Sequence, residues 1–202
     1  MATAGCRAAC LHTAGNPVYM AGKARARIAR TKAFFIARSA FMAVLCAEIE
    51  AHVRAAKRKR MCPAIRLNAT SDLPWEAYAV TWCGKTYRNI CEAFPKVTFY
   101  DYTKRANRAH KLPSNYSLTF SLAEQNDVHA LRALDGGMNV AAVFNIRRGK
   151  PLPSSYVLAG REVAVIDGDL HDYRPADPRG VIVGLRAKGR AIGDTSGFVR
   201  AV

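Results

Sequence analysis

Ile65-Arg-Leu-Asn-Ala-Thr-Ser-Asp-Leu-Pro-Trp-Glu76 is the stretch on which the reading of the chain turns. Ala64, Ile65 and Leu67 form a short apolar run that suits a buried strand. Polarity then changes abruptly at Asn68, Thr70, Ser71 and Asp72. Pro74 follows, and proline is tolerated in the first turn of a helix, where its missing N–H costs nothing. Asp72, two residues earlier, is placed to cap that helix. A strand, a polar turn and a helix start make a βα unit, and ligands gather beyond the carboxyl ends of such strands.

The same pattern recurs down the chain. Val97–Tyr102 runs towards Lys104, Tyr116–Phe120 ends at Ser121, and Asn139–Phe144 ends at Asn145. Glu162–Ile166 leads into Asp167-Gly-Asp-Leu-His-Asp172, and Gly180–Leu185 ends near Lys188. Glu124–Leu134 reads as a helix stopped by Gly136 and Gly137. Lys111–Asn115 reads as a turn, and Ile146–Gly160 as a basic loop. Pro74–Phe94 reads as helical at both ends. Its middle, Trp82-Cys-Gly-Lys-Thr86, lacks the glycine a phosphate loop needs at position 79, which is Ala79, so it is assigned to a loop or insertion. These six strands predict an α/β fold with a mostly parallel six-stranded sheet, open or curled into a partial (β/α) barrel. A complete eightfold barrel needs about 250 residues, more than the 202 of this chain.

On the N-terminal side, residues 1–19 look irregular, with Gly15, Asn16 and Pro17 as breakers. Met20 to about Arg60 predicts a long basic helix, continuous or in two pieces. Ile28, Phe34, Phe35, Phe41, Met42, Leu45, Ile49 and Val53 recur there at three-to-four-residue spacing. The chain carries a formal charge of +16. Residues 1–60 hold twelve Lys and Arg against Glu48 and Glu50, a net +10. Lys23, Arg25, Arg27, Arg30 and Lys32 crowd the start of the helix, the end that its dipole makes unfavourable for cations. That placement predicts contact with nucleic acid or another polyanion, against the simpler account of a solvated basic face. One α/β domain over residues 1–202 is expected, with its core in 61–190 and a loose tail over 191–202. No apolar run reaches the ~18 residues of a membrane helix, and none follows Arg7 and His12 as a secretory signal requires. A cytoplasmic protein with no membrane partner is expected, its oligomeric state open.

Parallel strands would gather their polar tips on one rim. Asp72, Lys104, Asp169 and His171 are the candidates for acid–base or electrostatic catalysis. Asn68, Ser71, Ser121, Asn145 and Lys188 are candidates for holding substrate. Asp167, Asp169 and His171 alternate and, with Asp172, could hold a divalent metal such as magnesium or manganese. The competing reading is a solvated Asp-Gly turn. Cys6 and Cys10 lie four apart and could supply half of a zinc or iron–sulfur site, or pack as small apolar groups. In a cytosolic chain the six cysteines are expected to be free of disulfides.

Cys6-Arg-Ala-Ala-Cys-Leu-His-Thr-Ala-Gly15, Arg66–Asp72, Phe99-Tyr-Asp-Tyr-Thr-Lys104 and Leu118-Thr-Phe-Ser121 together resemble a group of phage and plasmid proteins of the gene product 88 type. The likeness spans most of the chain and implies a bacterial host cytoplasm, but no particular reaction. Members of that group commonly begin with more cysteines, of which Cys6 and Cys10 match. The Cys-rich start ahead of a (β/α) sheet also looks distantly like radical-SAM enzymes. Those need a third cysteine where this chain has Thr13, which argues against an iron–sulfur cluster. The expected function is therefore an enzyme acting on an anionic, phosphate-bearing substrate at the strand-end rim. The alternatives are a non-catalytic nucleic-acid-binding or host-interacting protein, and a virion structural or assembly component.

Overall fold

The computed structural model describes residues 2–10 and 21–202. The breakers at Gly15, Asn16 and Pro17, the start of the basic helix at Met20, and Thr13 lie outside the described residues.

Residues 4–8 form a short helix, α1 (Ala4–Ala8), where an irregular segment was expected. The long basic helix is two helices, α2 (Ala21–Ile36) and α3 (Arg38–Arg58), broken at Ala37. Ala37 leaves the helical region, with φ −132° and ψ 55°. The reason lies in the aromatic side chains. Phe34 and Phe41 are seven residues apart, about 10 Å along a straight helix, yet their ring centroids are 5.5 Å apart. The chain bends so that Phe34, only 2% exposed, can enter a nest of rings formed with Phe41, Trp75 and Tyr78.

β1 (Ala64–Ile65) leads into a single 3₁₀ turn at Trp75–Ala77. β2 (Val80–Trp82) and β3 (Lys85–Tyr87) then form a separate antiparallel hairpin. Its turn residues, Cys83 and Gly84, both have positive φ, 48° and 74°, as the tight hairpin turn matching strand twist requires. Trp82–Thr86 is thus a hairpin. α4 (Ile90–Ala93) follows, with the Asn89 side chain capping Glu92 N–H.

The main sheet holds β4 (Thr98–Thr103), β5 (Tyr116–Ser121), α5 (Asp127–Asp135) as the crossover, and β6 (Asn139–Phe144). Next come β7 (Ser155–Leu158), β8 (Arg161–Asp167), β9 (Ile182–Arg186) and β10 (Val199–Arg200). The strand order is β1-β4-β5-β6-β9-β8-β7. All neighbours from β1 to β8 are parallel, so the six expected strands are present in an open, mostly parallel sheet.

Two further expectations need correction. Ile146–Gly160 is not all loop: Ser155–Leu158 turns back antiparallel onto β8 and forms one edge. The tail is not loose: β10 pairs with Val143 and Phe144 of β6, beyond the point where β5 stops at Ser121. Arg200 on that strand is held by Asp127 at 2.6 Å and by the Ala123 carbonyl at 2.7 Å.

One apolar core joins Met42, Cys46 and Ile49 of α3 to Phe99, Phe120 and Val140 of the sheet and Ala130 and Ala133 of α5. A smaller cluster of Ala9, Ala187, Ala191 and Val199 brings α1, the end of β9 and β10 together. No helix among the described residues is long and apolar enough to cross a membrane.

Candidate functional site

The β1–β4–β5 half of the rim is a connected polar network. Asp101 shares the inward face of β4 with the apolar Phe99 and is completely buried. Its carboxylate accepts from the backbone and side chain of Asn68, at 2.8 and 3.2 Å, and from the Tyr116 hydroxyl at 3.0 Å. Burial pushes its pKa from 3.8 up to about 7, against the pull of those donors and of Arg66 and Arg108. The folded chain then holds a proton that the unfolded chain releases, so this group costs stability as pH rises from about 4 to about 7. A carbon-13 titration of the Asp101 carboxyl should show a midpoint near 7. A midpoint near 4 would mean that the hydrogen bonds outweigh the burial.

Asn68 also folds its own turn. Its Oδ1 accepts from Ser71 Oγ and Leu73 N–H, and its amide donates to the Leu73 carbonyl. That turn delivers Asp72, whose Oδ2 accepts the Lys104 backbone N–H at 2.9 Å. Arg108, in the 3₁₀ segment Ala106–Lys111, reaches between them. It contacts Asp72 Oδ1 at 2.7 Å and grips both Glu76 oxygens at 2.7 Å. Lys104 Nζ lies 3.2 Å from Ser121 Oγ. Asn68, Ser71, Asp72, Lys104 and Ser121 are therefore together, as a parallel sheet predicts.

Above them lies a cleft of about 900 Å³. Its walls come from the β4–β5 connection (Lys104, Arg105, Asn107), the turn before α5 (Glu124, Asn126), α5 itself (His129, Arg132) and Thr3 beside α1. Thr3 and Gly5 donate to the Glu124 carboxylate. Burial works to raise the pKa of Glu124, but the donors from α1 hold it below its ordinary value. Gly5 is wedged where a Cβ would strike both Ser196 and Glu124. Asp135, at the far end of the cleft, pairs with Arg161 at 2.7 Å. Lys104, Arg105 and Arg132 have no carboxylate partner among the described residues. The cleft's acids are thus engaged by donors or a cation, whereas Lys104 is held only by neutral groups, the Ser121 oxygens and the Phe198 ring.

The β8–β9 half is a separate group. Asp167 and Asp169 are both bound by Arg186 of β9, at 2.8 to 3.0 Å, and Lys188 adds a contact to Asp169 at 2.6 Å. Arg186 holds the Asp167 carboxyl below its usual range. Burial opposes the same effect at Asp169, where Lys188 and Arg186 prevail. His171 turns away, with Nε2 3.7 Å from the buried Asp177, and Arg174 pairs with Asp177 at 3.4 Å and donates to the His171 carbonyl. The quartet Asp167, Asp169, His171 and Asp172 is thus split. Among the described residues, no three His, Cys, Asp or Glu side chains are grouped as metal ligands. Among the described residues, no ion pair joins Asp169 or His171 to Asp72 or Lys104. Asn145 is exposed, with its N–H given to the Arg200 carbonyl.

Cys6, on α1, and Cys10, just after it, are half-buried thiols that flank Ala9 of the smaller apolar cluster. Cys46 and Cys91 are buried, and desolvation pushes their thiols up to about 11 and about 12. Of the helix cations, Lys23, Arg25, Arg30 and Lys32 are exposed and Arg27 is half-buried.

Sequence reading missed Arg108, Arg174, Arg186, Asp101 and Glu124. The first three lie in short segments or at strand ends with no periodicity, and their partners come from other strands. Asp101 carried a usable signal, a carboxylate at an inward position of an alternating strand.

No curated protein and no solved structure matches the chain. The family model described as gene product 88 matches residues 1–201. That match covers the βα units, the cleft and both chain ends described above, and so the protein belongs to the gene product 88 family.

Proposed function

We propose that the protein binds and acts on an anionic, phosphate-bearing substrate, a nucleotide or nucleic acid, in the cleft at the carboxyl edge of the sheet. The observation that carries this reading is the imbalance within the cleft. Lys104, Arg105 and Arg132 face it without ion pairs, while Glu124 and Asp135 are engaged by α1 and Arg161. Cations without a carboxylate partner in a concave site favour an anion, and charge-assisted hydrogen bonds to phosphate are among the stronger ones. Lys104 beside Ser121 Oγ sets a positive charge where a phosphoryl oxygen or a developing alkoxide would need it. Asp72 is a positioning residue, fixing the backbone of Lys104.

ATP titrated calorimetrically into the protein should bind. Lys104→Ala and Arg132→Ala should each weaken that binding about tenfold or more. Unchanged affinity in both variants would remove the cleft from consideration. A second reading, a nucleic-acid binder without turnover, is favoured by the exposed Arg25, Arg30 and Lys32 of α2. Loss of turnover in Lys104→Ala at saturating substrate separates catalysis from binding alone.

A further inference from the structure

α2 is an arm. Of its residues, Phe34 is buried and Ala26 and Arg27 are half-buried, while positions 22–25, 28–33, 35 and 36 are exposed. Sixteen residues span about 24 Å. That is just past the length of about 12–15 residues below which an isolated helix is marginal in water, and most helical stability in proteins comes from packing. This one also places Lys23 and Arg25 at the end where the dipole disfavours cations. It carries five cations and no acid. Among the described residues its packing comes down to its C-terminal end at Phe34, and charge complementarity names a polyanion as what covers the exposed face.

The foot of the arm adds a second property. Phe35 is 62% and Ile36 81% exposed, next to the buried Phe34 ring. An exposed aromatic among cations is the arrangement that stacks an unpaired base while its phosphates are neutralised. The foot is also tied to the cleft through side chains. Phe34 packs on Trp75 at 5.5 Å, the neighbouring Glu76 is gripped by Arg108, and the Arg108 segment supplies Arg105 and Asn107 to the cleft wall.

We infer that the substrate is a single-stranded nucleic acid. Its backbone runs along Arg25, Arg30 and Lys32, a base stacks on Phe35, and one nucleotide enters the cleft. This rests on the cleft reading for its last step but not for the arm.

The test is fluorescence anisotropy with a labelled single strand of about 20 nucleotides, compared with calorimetric ATP binding. The triple reversal Arg25→Glu, Arg30→Glu and Lys32→Glu should weaken strand binding at least tenfold. It should also flatten the slope of log affinity against log salt by about 2. Phe35→Ala should weaken strand binding about fivefold or more. Both variants should leave ATP affinity and thermal melting unchanged. Lys104→Ala should lower ATP affinity and leave arm-dependent strand binding in place, so failure of the cleft and failure of the arm are read separately. Strand affinity unchanged in the triple variant would overturn the arm. Equal affinity for a duplex of the same length, with no effect of Phe35→Ala, would overturn the single-strand assignment. Capture by vesicles of phosphatidylcholine and phosphatidylglycerol without strand binding, or self-association lost in the triple variant without strand binding, would assign the arm to a different occupant and overturn the inference.

Discussion

Arg108→Ala is expected to destabilise the protein by about 3–5 kcal/mol, the range for removing one member of a buried ion pair. The guanidinium is 5% exposed and its partners Asp72 and Glu76 are 30% and 14% exposed. Without it, Glu76 keeps a largely buried charge with no counterpart, and Tyr116 and Thr103 lose a donor. Arg108→Lys should recover only part of the loss, because one ammonium cannot grip both Glu76 oxygens while reaching Asp72. Urea unfolding measures both variants. A loss below about 1 kcal/mol for the alanine variant would place the pair among exposed ones. Asp72 also fixes the Lys104 backbone, so the same variant should weaken ATP binding even where the protein remains folded.

Phe34→Ala should cost about 3–5 kcal/mol, as expected for emptying a phenylalanine site in a packed core. Phe34 meets Phe35, Phe41, Trp75 and Tyr78 edge-on, with Arg38 4.8 Å from its ring centre. It is also the only fully buried residue described in α2. Its loss should therefore free the arm as well as weaken the core. Hydrogen exchange of the α2 amides should accelerate more than that of β5. Equal acceleration in both would show that the arm opens only when the whole chain does.

The contrast between these two residues and the rim shows what a sequence carries. Parallel order follows from short apolar runs separated by crossovers, and parallel order alone sets Asn68, Asp72, Lys104 and Ser121 side by side. The bend at Ala37 has no proline or glycine to announce it, because its cause is the burial of Phe34 against Trp75 and Tyr78, some forty residues downstream. β7 was hidden in a basic segment whose turn is Ala159-Gly160, both at positive φ. An Asn-Gly pair would have signalled that hairpin, whereas alanine there is an uncommon choice. Asp167 and Asp169 looked like metal ligands because their partner, Arg186, lies nineteen and seventeen positions away on the adjacent strand. Alternation along one strand says nothing about the cation that the next strand contributes.

Glu124 stands in two places at once, in the wall of the cleft and under α1 as the acceptor for Thr3 and Gly5. Occupancy of one is consequently linked to the other by reciprocity. A ligand that draws on this carboxylate loosens the N-terminal turn by the same factor as release of that turn strengthens the ligand's hold, and a ligand that leaves it alone transmits nothing.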